Sequence, residues 1–330
     1  MKKFVKILIA FIGLPLILLA VLYLTTDPFK TLKPFSLEYF DNRNRDYLSS
    51  ELFIYNNPRQ HYDSFIFGSS RACGINSYHW RYYLPKGSNQ FVFQSWSETL
   101  TGIEQKISYL DSQQIPINNA IILIDIPGSF VGRQAPIEAI KIKDYHISGQ
   151  SFLSYQLLSF FNFIQKPSIW IQSVRDRKEK HSDINFDTIS NDWSAENKNR
   201  DISIPPIKDS LNNCSNLSRR VFVEEFYNEQ VVLASEPLLT IDLKEKLSHI
   251  KSIFEQHHTD YVVIVTPAPC YTNQAINPSD LQQLDETFGK ERVFNYSGKN
   301  SLTVDPMNFS DPNHFSLYVG WQIIEEVYNK

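Results

Sequence analysis

The segment "YDSFIFGSSRACGI", residues 62–75, places two adjacent serines where a run of strand-forming residues ends. A serine hydroxyl is a weak nucleophile until a base removes its proton, so a catalytic serine needs an imidazole within hydrogen-bond reach. That imidazole needs a further group to fix its tautomer and stabilise its cation. Ser69 and Ser70 are therefore candidate nucleophiles, although on their own they are more typical of a turn whose hydroxyls cap the next helix.

His314 is the candidate base. Of the eight histidines, it alone has an acidic residue at a telling spacing, in Asp311-Pro-Asn-His314 directly before the last predicted helix. In a turn closed by proline, residues three apart can bring the carboxylate to Nδ1, which leaves Nε2 to face a serine. Asp311 also suits a helix N-cap followed by proline, and His314 alone also suits a half-buried histidine bonded to backbone. Together with the serines, the two residues predict a triad.

Strands and helices alternate along the chain from residue 62 onward. The predicted strands are DSFIFG, QFVFQ, NNAIILIDIPGSF, DYVVIVTPAP and RVFNYS. The predicted helices are SETLTGIEQKISYLDS, SFLSYQLLSFFNFIQ, LLTIDLKEKLSHIKSIFEQHH and SLYVGWQIIEEVY. This alternation predicts an α/β domain with a mostly parallel sheet and right-handed crossovers. Ligands bind beyond the carboxyl ends of such strands, where residues 68–70, 125–129 and 266–270 lie.

A strand that ends in Gly-Ser-Ser, followed much later by Asp-x-x-His before the last helix, resembles the SGNH (GDSL-like) hydrolase superfamily. The resemblance is greatest to its membrane-anchored extracytoplasmic branches, which include DltD-type and alginate or peptidoglycan O-acetylation proteins. It implies a flavodoxin-like, three-layer α/β/α sandwich from about residue 60 to the end. It also implies that Ser70, rather than Ser69, is the nucleophile, with Asp311 and His314 as its partners, and that no cofactor is required.

The oxyanion hole of that superfamily is matched only in part. No G-x-N-D block is found, and the third strand ends in Asp125, whose carboxylate would repel a developing oxyanion. The remaining candidate donors are the backbone N–H groups of Ser70 and of Ser95 or Trp96, which follow the second strand. Arg71 and Asp125 are candidate substrate contacts, although a surface salt bridge is the commoner role for such an arginine.

The N-terminus has the composition of a membrane anchor. Lys2, Lys3 and Lys6 precede an uncharged apolar run at residues 7–24, which is long enough to cross a bilayer as a helix. Pro15 is compatible with a membrane helix. A cleaved signal peptide is the rival, but the run ends without small residues at a cleavage site. The lysines predict that the N-terminus stays in the cytoplasm and that the remaining chain lies outside.

The predicted organisation is an anchor at residues 1–25, a juxtamembrane connector at 26–58, and the α/β domain at 59–330. A polar insertion interrupts that domain at about 130–218. Such an insertion is either a solvated loop or a cap that contacts substrate.

The composition and net charge of the chain limit the classes of partner that it can bind. The chain is 42% hydrophobic and 21% charged, as globular proteins are, and its net charge of -4 argues against nucleic acid as a partner. Cys73, Cys214 and Cys270 do not form a disulfide framework, and any pairing among them is open. No Cys or His spacing predicts a metal.

These features predict a serine esterase or O-acyltransferase on the outer side of a bacterial cytoplasmic membrane. Its substrate would be an acylated cell-envelope glycan or a lipid-linked ester, which a tethered enzyme meets at high effective concentration. A membrane acyltransferase is a candidate partner. The alternative is a catalytically inactive module of the same fold that binds envelope polymer or assists its modification.

Overall fold

A computed structural model describes the chain at residues 2–131, 142–175, 186–193, 236–272 and 274–329, with the backbone alone at 2–10 and 173. Its residues form two compact units. Unit 1 comprises Met1–Glu51 and Ala135–Ile184. Unit 2 comprises Leu52–Gln134 and Asn185–Lys330.

Unit 2 is built on a five-stranded sheet in the order β2-β1-β3-β4-β5, and every pairing in it is parallel. The strands are β1 (Ser64–Gly68), β2 (Gln90–Gln94), β3 (Asn119–Ile124), β4 (Asp260–Val265) and β5 (Val293–Asn295). A separate antiparallel ribbon consists of β6 (Phe309–Asp311) and β7 (His314–Phe315). The predicted α/β architecture with a mostly parallel sheet is confirmed.

Helices of unit 2 flank its sheet. In the two units together, the described helices up to residue 131 are α1 (Lys2–Thr26), α2 (Arg45–Gln60), α3 (Ser77–Trp80), α4 (Leu100–Ser112) and α5 (Gly128–Val131). Those further along are α6 (Tyr145–Ser148), α7 (Phe152–Gln165), α8 (Pro167–Arg175), α9 (Ile241–His257), α10 (Pro278–Phe288) and α11 (Leu317–Tyr328). The sequence predicted α4, α7, α9 and α11.

The middle residues of strands β1, β2 and β3 are apolar because both faces of the sheet are covered. Every residue of these strands is buried. On one face, Ile66 belongs to a core shared with Val319 and Ile323 of α11. On the other face, the ring of Phe53 from α2 lies 5.3 Å from that of Phe93. Alternate residues of each strand therefore enter two different cores.

Two glycines allow α11 to lie directly against the loop after β1. A Cβ atom on Gly320 would lie 1.8 Å from the carbonyl oxygen of Gly74, and one on Gly74 would lie 2.3 Å from the ring of Phe315. Only a hydrogen atom fits at either position, so no other residue permits this approach. The segment that carries His314 is thereby held against the segment that carries Ser70.

Unit 1 contains α1, α6, α7, α8 and a core between them. That core consists of Tyr23, Phe29, Tyr47, Ile142, Tyr155, Phe163 and Ile169. The segment predicted as a connector at 26–58 contains most of α2, and residues 142–175 of the predicted insertion contribute α6, α7 and α8 to this unit. Much of the remaining insertion lies outside the described residues.

The helix predicted at the N-terminus is present as α1, which is 25 residues long and contains Pro15. Within the part of the chain whose side chains the structure describes, no helix combines the length and apolarity that crossing a membrane requires.

Candidate active site

Ser70 begins a short 3-10 helix, Ser70–Gly74, directly after the carboxyl end of β1. Ser69 is the N-cap of that helix, and its Oγ accepts a hydrogen bond of 3.2 Å from the backbone N–H of Arg71. Ser69 is buried, whereas Ser70 is half-buried. The turn therefore places only the second serine where a bound molecule can reach its hydroxyl.

The β6–β7 hairpin brings Asp311 to His314. The two residues are paired across the ribbon, and residues 312 and 313 form the turn between them. Asp311 Oδ1 accepts hydrogen bonds from the backbone N–H groups of Asn313 (2.7 Å) and His314 (3.1 Å). The carboxylate is fixed by its own turn, as short polar side chains often are.

The structure brings Ser70, His314 and Asp311 together. His314 Nε2 lies 2.8 Å from Ser70 Oγ, although the two residues are 244 positions apart. His314 Nδ1 lies 2.7 Å from Asp311 Oδ2 and 2.9 Å from Oδ1. One ring nitrogen is held by a carboxylate and the other faces a hydroxyl, which is the geometry a serine nucleophile and its general base require.

The electrostatics keep Asp311 ionised. Burial acts to raise the pKa of Asp311, but the hydrogen bond and charge of His314 outweigh it, helped by the two backbone N–H groups, and the pKa lies below its ordinary value. An ionised carboxylate favours the tautomer in which Nδ1 carries the proton and Nε2 is a base. The side chains of His314 and Asp311 remain 33% and 43% exposed, so a large substrate can approach.

Other histidines also contact carboxylates. The pairs are His79–Glu325, His146–Glu51, His249–Glu104 and His257–Asp111. Among the residues that the structure describes, only His314 has a carboxylate on one ring nitrogen and a serine hydroxyl on the other. The sequence spacing singled out the same histidine.

The substrate contact predicted for Arg71 stays a prediction, and the structure shows its guanidinium buried and bonded to protein atoms. Arg71 is 1% exposed. Its Nε donates to the carbonyl oxygen of Asn313 (2.8 Å), Nη1 to Thr266 Oγ1 (2.8 Å) and Nη2 to Gln274 Oε1 (2.6 Å). Arg71 therefore ties the turn that carries Asp311 and His314 to the loops after β1 and β4. These partners could not be predicted from the sequence, because they lie 195 to 242 residues away from Arg71.

Asp125 is also buried, and the substrate contact predicted for it stays a prediction. Its carboxylate accepts hydrogen bonds from Ser69 Oγ and from Thr266 Oγ1, the latter at 2.7 Å. Its Oδ1 lies 3.7 Å from Arg71 Nη1. The charge that was expected to repel an oxyanion is compensated by this arginine and these hydroxyls. The bond from Ser69 also occupies the hydroxyl of that serine.

Ser95 does not fit the oxyanion role predicted for it. Its backbone N–H already donates to the carbonyl oxygen of Gly68, at 3.2 Å. Its hydroxyl donates to Glu98 Oε2 (2.6 Å) and accepts from Lys106 Nζ (2.7 Å) within a buried ion pair. Trp96 is half-buried and stays a prediction. The N–H of Ser70 lies at the start of a helix, where N–H groups have no partner within the helix.

Unit 1 contains a second histidine–carboxylate cluster that the sequence did not predict. The candidate ligand atoms of Glu51, Asp144 and His146 all lie within 4.8 Å of one another, a spacing that a cation could bridge. Hydrogen bonding accounts for the same arrangement. His146 Nδ1 lies 2.9 Å from Glu51 Oε1 and 3.4 Å from Asp144 Oδ1, and the backbone N–H of His146 donates to Asp144.

Burial first and the charge of Asp144 second raise the pKa of Glu51 to about 7, although His146 opposes both. The pKa of Asp144 is also raised, chiefly by burial. The hydrogen bond to Asp144 raises the pKa of His146. Each of the three groups therefore holds its proton to a higher pH than it ordinarily does.

Cys73 and Cys270 form no disulfide in the described part of the chain, and Cys214 lies outside it. Two of the cavities lie among the described residues of unit 2. One, of about 650 Å³, is lined by residues 295–302 and α11, and the other, of about 900 Å³, lies at the amino ends of the strands. Neither lining includes Ser70, Asp311 or His314, so neither marks a substrate pocket for them.

The chain matches no protein-family model and no curated protein. Its function must therefore be inferred from the arrangement of Ser70, His314 and Asp311.

Proposed function

We propose that the protein is an SGNH-type serine esterase or O-acyltransferase in which Ser70 is the nucleophile, His314 the general base and Asp311 its orienting carboxylate. The observation that carries this proposal is the 2.8 Å approach of His314 Nε2 to Ser70 Oγ, with Asp311 on the opposite ring nitrogen. The reaction requires no metal or organic cofactor.

In the proposed mechanism, His314 Nε2 takes the proton of Ser70 as Oγ attacks the ester carbonyl. The resulting oxyanion is stabilised by the N–H of Ser70, and the Asp311 carboxylate stabilises the imidazolium. The C–O bond to the leaving alcohol breaks, and that alcohol takes the proton from His314. In the second half, His314 takes a proton from water or a sugar hydroxyl as that oxygen attacks the acyl carbonyl. The bond between the acyl carbon and Ser70 Oγ then breaks, and His314 gives the proton to Oγ. Water gives hydrolysis, and a sugar gives transfer.

The topology supports the resemblance to that superfamily. The order β2-β1-β3-β4-β5 is that of flavodoxin-like sheets. Ser70 follows the carboxyl end of β1, the edge at which ligands bind in such sheets. We therefore infer a flavodoxin-like, three-layer domain that extends from about residue 60 to the end of the sequence.

We further propose that α1 anchors the protein in a bacterial cytoplasmic membrane, with the site on the outer side. Residues 7–24 carry no charge, and Phe11, Ile17 and Leu24 are exposed on α1. The substrate class that suits this location is an acylated envelope glycan or a lipid-linked ester. The exposure of His314 and Asp311 supports a large substrate, and a membrane acyltransferase is the partner proposed to supply acyl groups.

The test is labelling of the full chain in detergent with a fluorophosphonate probe, which reacts with activated serines. We expect the wild type and Ser69→Ala to be labelled and Ser70→Ala to be unlabelled. Ser69→Ala is the matched control because its hydroxyl is bonded to Asp125. Circular dichroism melting verifies that each variant is folded. Labelling of Ser70→Ala equal to that of the wild type would refute the assignment.

One observation favours a second candidate function. The N–H of Ser95 is already bonded to Gly68, so one of the donors predicted for the oxyanion hole is engaged. Loss of one donor costs about a hundredfold or more in rate. A chain that melts cooperatively but is not labelled at all would indicate an inactive module that binds envelope polymer.

A further inference from the structure

We propose that α7 and α8 of unit 1 form a second membrane-contacting surface, which lies in the interface between lipid headgroups and acyl chains beside the anchor helix α1. This inference rests on the proposed membrane location and is independent of the triad. It concerns a segment that the sequence predicted as an apolar helix within the insertion at about 130–218.

Helix α7 exposes a row of large apolar residues, although it also buries Tyr155 and Phe163 in the core of unit 1. A helix on the surface of a soluble protein buries its apolar stripe and exposes its polar one. In α7 the buried residues include Gln156 and Ser159, while Leu157 is 50% and Phe161 56% exposed. Large apolar residues recur at the three- and four-residue spacing that defines one helical face. The exposed ones on α7 are Phe152, Leu153, Leu157, Leu158 and Phe161.

The buried polar residues of α7 have partners that explain their position. Gln156 Oε1 accepts from the hydroxyl of Tyr23 (2.7 Å), and Gln156 Nε2 donates to the carbonyl oxygen of Thr31 (3.0 Å). A buried amide is stable only when its groups are bonded in this way. The orientation of α7 is thus fixed by hydrogen bonds, and its apolar face is left outward.

The apolar surface continues onto α8. Ile171 is 67% and Val174 is 53% exposed, while Ile169 enters the core of unit 1. Residues 152–165 contain no charged side chain, and Lys166 and Arg175 lie at the two ends of α8. Basic residues at the ends of an apolar helical face suit anionic headgroups. A continuous group of exposed large apolar residues on two neighbouring helices indicates a binding surface.

The contacts with α1 favour lipid over a protein partner. The ring of Tyr23 lies 5.4 Å from those of Phe160 and Phe163, and Leu22 packs against the same core. Tyr23 is three residues from the end of α1, so α7 lies at the level where the proposed anchor leaves the bilayer. The exposed apolar residues of α1 and those of α7–α8 belong to the same unit, which makes a shared lipid environment the simplest occupant.

The experiment uses the full chain in phospholipid nanodiscs that contain anionic lipid. A nitroxide spin label is attached at Leu157→Cys, Ile171→Cys, Leu14→Cys or Ser248→Cys, in a background with the native cysteines changed to alanine. Ser248 is an exposed residue of α9 in unit 2 and serves as the control. Collision with oxygen, which concentrates in lipid, is compared with collision with a polar nickel chelate, which remains in water.

We expect the ratio of oxygen to nickel collision rates to be several-fold higher at Leu157→Cys and Ile171→Cys than at Ser248→Cys. High nickel access at both sites would show that the surface faces water and would overturn the proposal. Low access to both reagents would show that protein covers it, either another segment of the chain or a second copy, and would also overturn it. Leu14→Cys tests the anchor separately. If it reports lipid while Leu157→Cys does not, only this inference fails.

Discussion

The two units each contain a histidine held by carboxylates, and the two clusters differ in what surrounds them. In unit 2, His314 is partly exposed, contacts one carboxylate and faces the hydroxyl of Ser70. In unit 1, His146 contacts both Glu51 and Asp144, whose carboxylates are largely buried. The residue types are nearly the same in the two clusters. Their difference must therefore come from burial and from the further group that contacts the histidine, which is a serine hydroxyl in unit 2 and a second carboxylate in unit 1.

The pKa directions express this difference. The pKa of Asp311 lies below its ordinary value, because the hydrogen bonds and charge of His314 outweigh burial. Burial wins in unit 1, where the pKa values of Glu51 and Asp144 are raised. The unit 2 cluster combines a carboxylate of lowered pKa with a ring nitrogen beside a serine hydroxyl. The unit 1 cluster combines carboxylates of raised pKa with a histidine for which the structure describes no serine partner. A histidine–carboxylate contact alone is thus a poor predictor of catalysis. The group bonded to the other ring nitrogen of the histidine must also be known.

The largest expected difference between the clusters is in catalysis. His314→Gln should lower ester hydrolysis by about 10⁴-fold, because the serine loses its general base. His146→Gln, the matched substitution in unit 1, should change the rate by less than about twofold, since the proposed mechanism does not use it. Hydrolysis of a p-nitrophenyl ester by the full chain in detergent measures both. Equal losses in the two variants would show that the comparison is mistaken.

The sequence predicted the parts of this site that depend on local spacing. Asp311 and His314 share one turn, and Ser70 follows a strand of five apolar and small residues. The sequence could not predict that Arg71 is buried, because its partners come from loops about 200 residues away. The pairing of Glu51 with His146 joins segments 95 residues apart and was missed for the same reason.

The strands were predicted from their apolar runs, and α4 and α9 from the periodicity of their apolar residues. Helices α2, α8 and α10 were not predicted, although Asn277 is a recognisable N-cap of α10 and Pro278 its first residue. The start of α10 could have been recognised from its N-cap and proline. Its apolar pattern is weak, because Leu284 and Phe288 are its only buried apolar residues.

The second prediction concerns the orienting carboxylate. Asp311→Asn should lower hydrolysis by at least about 10²-fold, because an amide can hold the ring in the wrong tautomer and cannot stabilise the imidazolium. Asp144→Asn, its counterpart in unit 1, should leave kcat within about twofold. Steady-state kinetics at several pH values distinguish the two. Full activity in Asp311→Asn would leave His314 without a defined orienting group and would reject the triad.

The third prediction concerns the arginine that positions the unit 2 cluster. Arg71→Lys keeps a cation near Asp125 but cannot reach Asn313, Thr266 and Gln274 together, because an ammonium has no planar fork. We expect kcat to fall by about tenfold, with a smaller change in KM, since the turn that carries His314 loses its tether. Arg292→Lys is the control, because that arginine pairs with the exposed Asp260. A change in thermal stability without a change in kcat would show that Arg71 is only structural.

The smallest expected effect is the contribution of Glu51 to the pH dependence of folding stability. It is also the sharpest test of the unit 1 cluster. The pKa of Glu51 is about 7 in the folded chain against an ordinary value of 4.5, through burial first and the charge of Asp144 second. From about pH 4.5 to 7 the unfolded chain is ionised at this position while the folded chain keeps its proton. Stability therefore falls as pH rises through that window. The raised pKa values of Asp144 and His146 act in the same direction.

Glu51→Gln removes the ionisation, so the variant should melt about 2–4 °C above the wild type at about pH 8 and close to it at about pH 5. Asp311 has the opposite sign: its lowered pKa gives stability that is present at neutral pH and lost as pH falls through the folded value. Scanning calorimetry of the full chain in detergent measures both trends, with Glu104→Gln in an exposed pair as the control. If Glu51→Gln melted below the wild type at about pH 8, the ionised carboxylate would be stabilising there. In that case ionised Glu51 would stabilise the folded chain, as ionised Asp311 does. The two clusters would then differ in exposure but not in the effect of the ionised carboxylate on stability.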